Sequence, residues 1–165
     1  MTTPITRATI IKKAVFDLFK AQAVPAGLLI APTGPGGDVA LAPVDVRYGW
    51  KSDIGPVAVY GGGWRFEQED YTAEGPGLLV REVIRFSINV RVQVRPACAV
   101  EDTDAIANTV CVGLASVLKA HPEPYPGYRV DGFPGGLGDY ENTDDETVSR
   151  YAFELRLHGQ LTWGG

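Results

Sequence analysis

The stretch that decides the fold of this 165-residue chain runs from Ile84 to Arg95, IRFSINVRVQVR. Apolar residues occupy every even position and polar residues every odd position. A period of two over so long a run predicts a β-strand with one buried face and one polar face. The run is far longer than an ordinary strand of about five or six residues. We therefore expect it to lie at the centre of an antiparallel sheet.

The other segments predict an α+β fold, with a mainly antiparallel sheet and two amphipathic helices on one face. Apolar residues recur at helical spacing in two places, and Thr3-Pro4 and Asp102 or Thr103 are residue types that begin helices. One domain, 1–165, is expected. Its helices are predicted at about 4–22 and 103–120, and its strands at about 44–50, 57–68, 79–95, 128–131 and 148–162. Loops are expected at 32–38, 69–77 and 133–146, which are rich in glycine, proline or acidic residues.

Composition indicates an ordinary globular protein, with 45% hydrophobic and 21% charged residues. The net charge of -5 argues against nonspecific binding of nucleic acid over the whole surface. We expect no membrane partner, because no apolar run is long enough to span a bilayer. The N-terminus lacks the pattern of a signal peptide, so we expect the chain to stay in the cytoplasm where it is made.

No residue pattern indicates catalysis, a cofactor or a metal site. The glycine clusters at 34–37 and 61–63 are not followed by the Lys-Ser/Thr of a phosphate-binding loop. His121 and His158 are the two histidines, and no nucleophile elbow accompanies them. Cys98 and Cys111 are expected to be reduced thiols, with a disulfide or a metal role as alternatives. We expect no enzyme, although two acids far apart in sequence could converge to form a carboxylate pair.

Arg81, Arg85, Arg91 and Arg95 share the polar face of the long strand. One interpretation is that they pair with acidic residues of neighbouring strands. The other is that they meet an acidic surface of another subunit, or DNA, because the guanidinium fork pairs with carboxylate and with phosphate. The face lacks interleaved aromatic residues, which weakens the case for nucleic acid.

The acidic run 139–146 is the natural counterpart of this basic face. Oxygen-rich side chains at short spacing could hold calcium, but the glycine and the distal glutamate of an EF-hand are missing. A solvated loop, or a docking surface for a basic neighbour, is favoured. The candidate subunit-interface residues are therefore the four arginines together with Asp139, Glu141, Asp144, Asp145 and Glu146.

Taken in order, four segments resemble the tail terminator (tail completion) proteins of long-tailed bacteriophages. The first is the N-terminal amphipathic helix, and the second is the strand Val44–Trp50, VDVRYGW. The third is the long strand Val83–Val94 leading into Thr103–Val110, TDAIANTV. The fourth is Tyr140–Arg150, YENTDDETVSR, which enters the closing strand. The likeness covers most of the chain and depends on the order of the segments, since no short motif is diagnostic.

This resemblance implies a virion protein of the tail, at the head–tail junction, that is assembled in the host cytoplasm. Copies of the chain would form a hexameric ring on the last ring of tail-tube protein and stop its polymerisation. The ring would present a surface to the head-completion or connector protein, and genomic DNA would pass through its bore without sequence recognition. No cofactor is implied. The alternatives are a head–tail connector or another minor tail protein, and then a small ligand-binding domain.

Overall fold

The computed structural model describes residues 5–22, 30–33, 40–74 and 77–163. Two helices and seven strands are found in these residues. In chain order they are α1 (Ala8–Gln22), β1 (Ile30–Thr33), β2 (Ala40–Pro43), β3 (Asp45–Arg47), β4 (Val57–Glu74), β5 (Gly77–Val94), α2 (Val100–Ala120), β6 (Arg129–Asn142) and β7 (Thr147–Trp163).

Five of the strands form one sheet in the order β3-β4-β5-β7-β6. Every neighbouring pair in it is antiparallel except β3 and β4, which run parallel. β1 and β2 form a separate antiparallel pair. The α+β class and the mainly antiparallel sheet are confirmed.

The predicted long strand is β5, and it lies at the centre of the sheet. Its even positions are buried and its odd positions are mostly half-buried, as the alternation of the sequence requires. Ile84, Ile88 and Val90 are fully buried. β5 pairs with β7 without a register shift, from Leu78↔Trp163 to Val94↔Thr147. The sheet is therefore held by three long strands, of which β5 is the middle one.

Both helices cover the even face of β5 and form one hydrophobic core with it. From α1, the ring of Phe16 meets the ring of Phe86 at 6.2 Å between centroids. From α2, Leu114 is fully buried in the same cluster. Each large apolar side chain removed from water in this way stabilises the fold by about 1.5–3 kcal/mol. The opposite face of the sheet is left without a covering helix among the described residues.

The three glycines Gly61–Gly63 lie inside β4, at a register shift in its pairing with β5. A Cβ atom on Gly61 would stand 2.3 Å from the carbonyl oxygen of Tyr48. The same gap admits Lys12 of α1, whose Nζ donates to the carbonyl of Gly62 at 2.7 Å and lies 4.0 Å from the centroid of the Tyr48 ring. Burial lowers the pKa of Lys12. The glycines thus permit a close approach of α1 and do not end the strand.

The buried carboxylate of Glu82 connects the segment before α1 with β4 and with the residue that precedes β6. Glu82 is fully buried among the even positions of β5. Its oxygens accept hydrogen bonds from the backbone N–H of Arg7 at 3.1 Å, the Tyr128 hydroxyl at 3.2 Å and the Gln68 amide at 2.6 Å. Burial and the charge of Glu82 raise the pKa of Tyr128. Three donors offset the cost of removing this carboxylate from water.

Several predicted bounds differ from the structure. α1 begins at Ala8, and the proposed capping pair Thr3-Pro4 lies outside the described residues. The strand predicted at 44–50 is limited to Asp45–Arg47. The predicted loop 69–77 is occupied mainly by β4 and β5, which continue to Glu74 and from Gly77.

The largest difference concerns 133–146, which was expected to be irregular. Most of it belongs to β6, because backbone pairing with β7 supplies the order that its glycine-rich sequence does not predict. The pair β1 and β2 was also not predicted. It includes two residues of the expected 32–38 loop, and 34–39 lies outside the described residues.

The glycines of β4 give a stability test with an internal control. Gly61→Ala should lower the free energy of unfolding by about 1–3 kcal/mol, because the new methyl group collides with the Tyr48 backbone and with Lys12. Gly63→Ala should be close to neutral, since nothing lies within 4 Å of a Cβ placed there. Urea denaturation of both variants measures the difference. Equal effects would contradict the close approach.

Candidate interaction surface

The face of the sheet opposite the helices carries the charged residues, and we call it the open face. It holds the odd-numbered side chains of β5 and those beside them on β4, β7 and β6. Arg85 is paired in register with Arg65 of β4 on one side and with Arg156 of β7 on the other. Three guanidinium groups therefore lie in one row across the sheet.

One carboxylate serves two members of this row. Glu154 of β7 lies 3.2 Å from Nη2 of Arg65 and 3.8 Å from Nη1 of Arg85, each measured to its Oε1 atom. Nε of Arg85 is buried and has no hydrogen-bond partner among the described residues. Arg156, the third member, lies 3.4 Å from Asp131, measured from its Nε to Oδ2, so three guanidinium groups share two carboxylates.

A second ion pair lies where β5 ends and β7 begins. Nε of Arg95 is 2.9 Å from Oε2 of Glu146, and the same oxygen accepts a hydrogen bond from the Gln93 amide. These two donors hold the pKa of Glu146 below its usual value. The acidic turn is thus attached to the basic strand of its own subunit.

Between these sites, the two arginines that face each other across β5 and β7 have different partners. Arg91 donates to the Gln93 side chain at 3.0 Å, and its guanidinium carbon lies 5.8 Å from the centroid of the Trp50 ring. Arg150 is 2.9 Å from Asp139 and 3.6 Å from Glu141. The hydrogen bond to Asp139 raises the pKa of Arg150.

The nine predicted subunit-interface residues do not form one separate basic surface and one separate acidic surface. Arg85 and Arg95 pair with acids of their own subunit, as the first interpretation of the basic face expects. Arg81 is aligned with Glu69 of β4 and Gln160 of β7. Asp144 and Asp145 are exposed in the turn and form no ion pair with the part of the chain that the structure describes. A role in subunit contacts stays a prediction for all nine.

A groove that the sequence did not predict lies beside β6, on the face of the sheet that the helices cover. Glycines at 136 and 138 leave the edge strand without side chains there, so the half-buried rings of Tyr151 and Phe153 stay partly uncovered. The space measures about 430 Å³. Its lining consists of Asp104, Gly136, Leu137, Gly138, Asp139, Tyr140, Tyr151, Ala152 and Phe153. In the sequence, the signal that could have indicated this groove is the alternation of Gly136 and Gly138 ahead of Tyr140.

Large apolar and aromatic side chains are exposed at both edges of the sheet. On β6, Leu137 is 74% and Tyr140 63% exposed. On β4, Trp64 is 43% exposed and stacks on Phe66 at 6.3 Å between ring centroids. Exposed aromatic residues of this kind are enriched where proteins contact one another.

Both histidines and both cysteines lie in the described part of the chain. The His158 ring hydrogen-bonds to Asp131, and His121 follows the last turn of α2. Cys98 and Cys111 are free, and burial raises the pKa of the Cys111 thiol to about 11. Within the described residues, no group of three or more His, Cys, Asp or Glu is placed to hold a metal ion. No helix of this part is long and apolar enough to cross a membrane.

Comparison with known proteins gives a distant structural likeness. No family model matches the chain, and no curated protein matches it. Among the solved structures, a chain from "Virion of native gene transfer agent (GTA) particle" is similar with a TM-score of 0.48 and 18% sequence identity. The match covers 90% of this chain and 94% of that one. A likeness this distant does not identify a function.

The Glu146 ion pair gives a pH-dependence test. Because its pKa is lower in the folded chain, the pair contributes stability above the ordinary glutamate range, and this is lost as the pH falls through the lowered pKa. Glu146→Gln should therefore lower the urea midpoint at neutral pH, and the difference from wild type should shrink well below pH 4.5. Asp145→Asn is the matched control and should change little. A difference that persists in acid would contradict this role of the pair.

Proposed function

We propose that this chain is a structural protein of a virion, and within it the tail terminator. Copies of the chain form a ring that caps the tail tube, ends its polymerisation and provides the tail-side surface for head joining. The observation that carries the proposal is the sheet itself, which leaves one face uncovered and two edges unpaired on opposite sides among the described residues.

The two edges supply what a ring requires. A closed ring of identical subunits uses two different surfaces, each matching the other on the next copy. Among the described residues, β3 pairs with Ala58 to Tyr60 of β4, and no strand pairs with the outer edge of β4 from Trp64 onward. β6 forms the opposite edge, with most of its length exposed. The order of segments that resembles tail terminators supports the same assembly.

The charged residues are better suited to orienting neighbouring subunits than to strengthening the binding between them. Most of the nominated arginines and acids are already compensated within the subunit, so bringing two such surfaces together adds little net attraction. A patterned surface of this kind selects the correct partner and register. Asp144 and Asp145 are available for a basic neighbour, such as the tail-tube protein or the head-completion protein.

The alternative within the same class is a head–tail connector or another minor tail protein. Such a protein would share the ring-forming edges but bind the head side first. Tube length distinguishes a tail terminator from a connector or minor tail protein, because only a terminator limits polymerisation of the tube.

Removal of this protein from the particle tests the proposal. Particles made without it should contain overlong tubes that lack heads, because tube growth no longer stops and the joining surface is missing. Electron microscopy measures the tube lengths, and resupply of the wild-type chain should restore them. Tails of normal length that fail to join heads would favour the connector. Normal tails with heads attached would overturn the proposal.

A further inference from the structure

We propose that neighbouring copies in this ring join edge to edge by antiparallel strand pairing. The Gly135–Asn142 stretch of β6 in one copy pairs with the Trp64–Glu69 stretch of β4 in the next. This contact places Trp64 and Phe66 of the second copy over the groove beside β6 of the first. The inference rests on the proposed ring and names the contact that closes it.

Strand direction favours this pairing. The four strands β4, β5, β7 and β6 alternate in direction, so β6 runs opposite to β4. A rotation that repeats the subunit around a ring, with the strands roughly along the axis, keeps the direction of every strand. β6 of one copy therefore meets β4 of the next in antiparallel orientation, and the helices of all copies stay on the same side.

The two stretches are the regular parts of their edges. From Gly135 to Asn142, β6 pairs with β7 without a register shift, and this stretch contains no proline or lysine. From Trp64 to Glu69, β4 pairs regularly with β5, between two register shifts. An exposed regular edge offers unpaired N–H and C=O groups, and proteins ordinarily cover or interrupt such an edge. Pairing with a second copy would cover both.

Side chains on the helix side of the two edges are complementary. Trp64 and Phe66 are aligned with Phe86 and Ile84 of β5, so they point to the helix side. On β6 the residues of that side include Gly136 and Gly138, which expose the Tyr151 and Phe153 rings below them. The bare glycines of one copy therefore leave room for the aromatic pair of the next.

The open side adds charge complementarity to this fit. On β4, Arg65 is 60% exposed and lies between the two aromatic residues in sequence. On β6, Asp139 and Glu141 are each 59% exposed and project to the open side, as shown by their contacts with Arg150. Antiparallel pairing that sets Arg65 opposite Asp139 brings this cation to those two carboxylates, and it leaves Glu67 and Glu69 of β4 opposite Leu137 and Gly135.

Filling the groove should abolish association without unfolding the subunit. A Cβ on Gly138 would lie 3.4 Å from the Tyr151 ring, which is an ordinary contact, so Gly138→Val fits the isolated chain but occupies the space for the incoming aromatic pair. Gly135→Ala is the matched control, with nothing within 4 Å. Trp64→Ala should act like Gly138→Val. Trp50→Ala removes a more exposed tryptophan, 53% against 43%, that lies outside both pairing stretches, and it should not.

The readout is the mass in solution by light scattering, with circular dichroism to verify folding. Gly138→Val and Trp64→Ala should shift the ring to the monomer, and the two controls should keep it. If the wild-type ring forms only on tube ends, the same variants are compared by their retention on purified tubes. Folded Gly138→Val and Trp64→Ala that still assemble would overturn the edge contact.

A crosslink tests the contact directly. In a background with Cys98→Ala and Cys111→Ala, we would introduce Arg65→Cys and Leu137→Cys. Within one subunit these positions are three strands apart and offset along the sheet by four residues, about 20 Å in all. A shorter bismaleimide should therefore link different copies only. The double variant should give a ladder of covalent multimers, and a mixture of the two single variants should give dimers.

The outcomes separate this inference from the proposed function. Rings without the crosslink, in solution and in particles, would overturn the edge contact and leave tail termination standing. A crosslinked ring from a protein whose removal leaves tail length unchanged would overturn termination and support the edge contact. A chain that neither crosslinks nor associates, alone or with tubes, would overturn both.

Discussion

The burial of one face of β5 is the constraint on which the rest of the structure depends. Because its even positions are covered by two helices, its odd positions must project to the other side. The pairing of β5 with β4 and β7 then aligns the polar residues of three strands into rows. The charged open face is therefore a consequence of the hydrophobic core and needs no separate cause.

Two buried polar groups fix how the helical layer sits on this sheet. Lys12 reaches the Gly62 carbonyl through a gap that only glycine permits, and Glu82 collects donors from three separate segments. A shift of α1 along the sheet would break the first contact and leave a buried ammonium group unpaired. Apolar packing alone tolerates such shifts more easily. Directional hydrogen bonds thus specify the position that the core merely favours.

The sequence could predict those parts of the fold in which apolar residues recur with a regular period. The alternation from Ile84 to Val94 and the helical stripe of α2 belong to this group, and so does the polar face of β5. The strand predicted at 128–131 covers only the start of β6, and the rest was missed because glycines carry no hydrophobic signal and its order comes from β7. The ion pair of Arg95 with Glu146 was open for a different reason. It depends on a register between residues 51 positions apart, which no local pattern reveals.

The unbroken register between β5 and β7 restricts how related chains can change in length. Inserting or deleting one residue inside either strand would invert every side chain beyond that point and turn arginines toward the core. The exposed turn from Thr143 to Glu146 carries no such penalty, since the strands on both sides keep their phase. Divergence among relatives should therefore accumulate as turn length, while the long strands keep a constant number of residues.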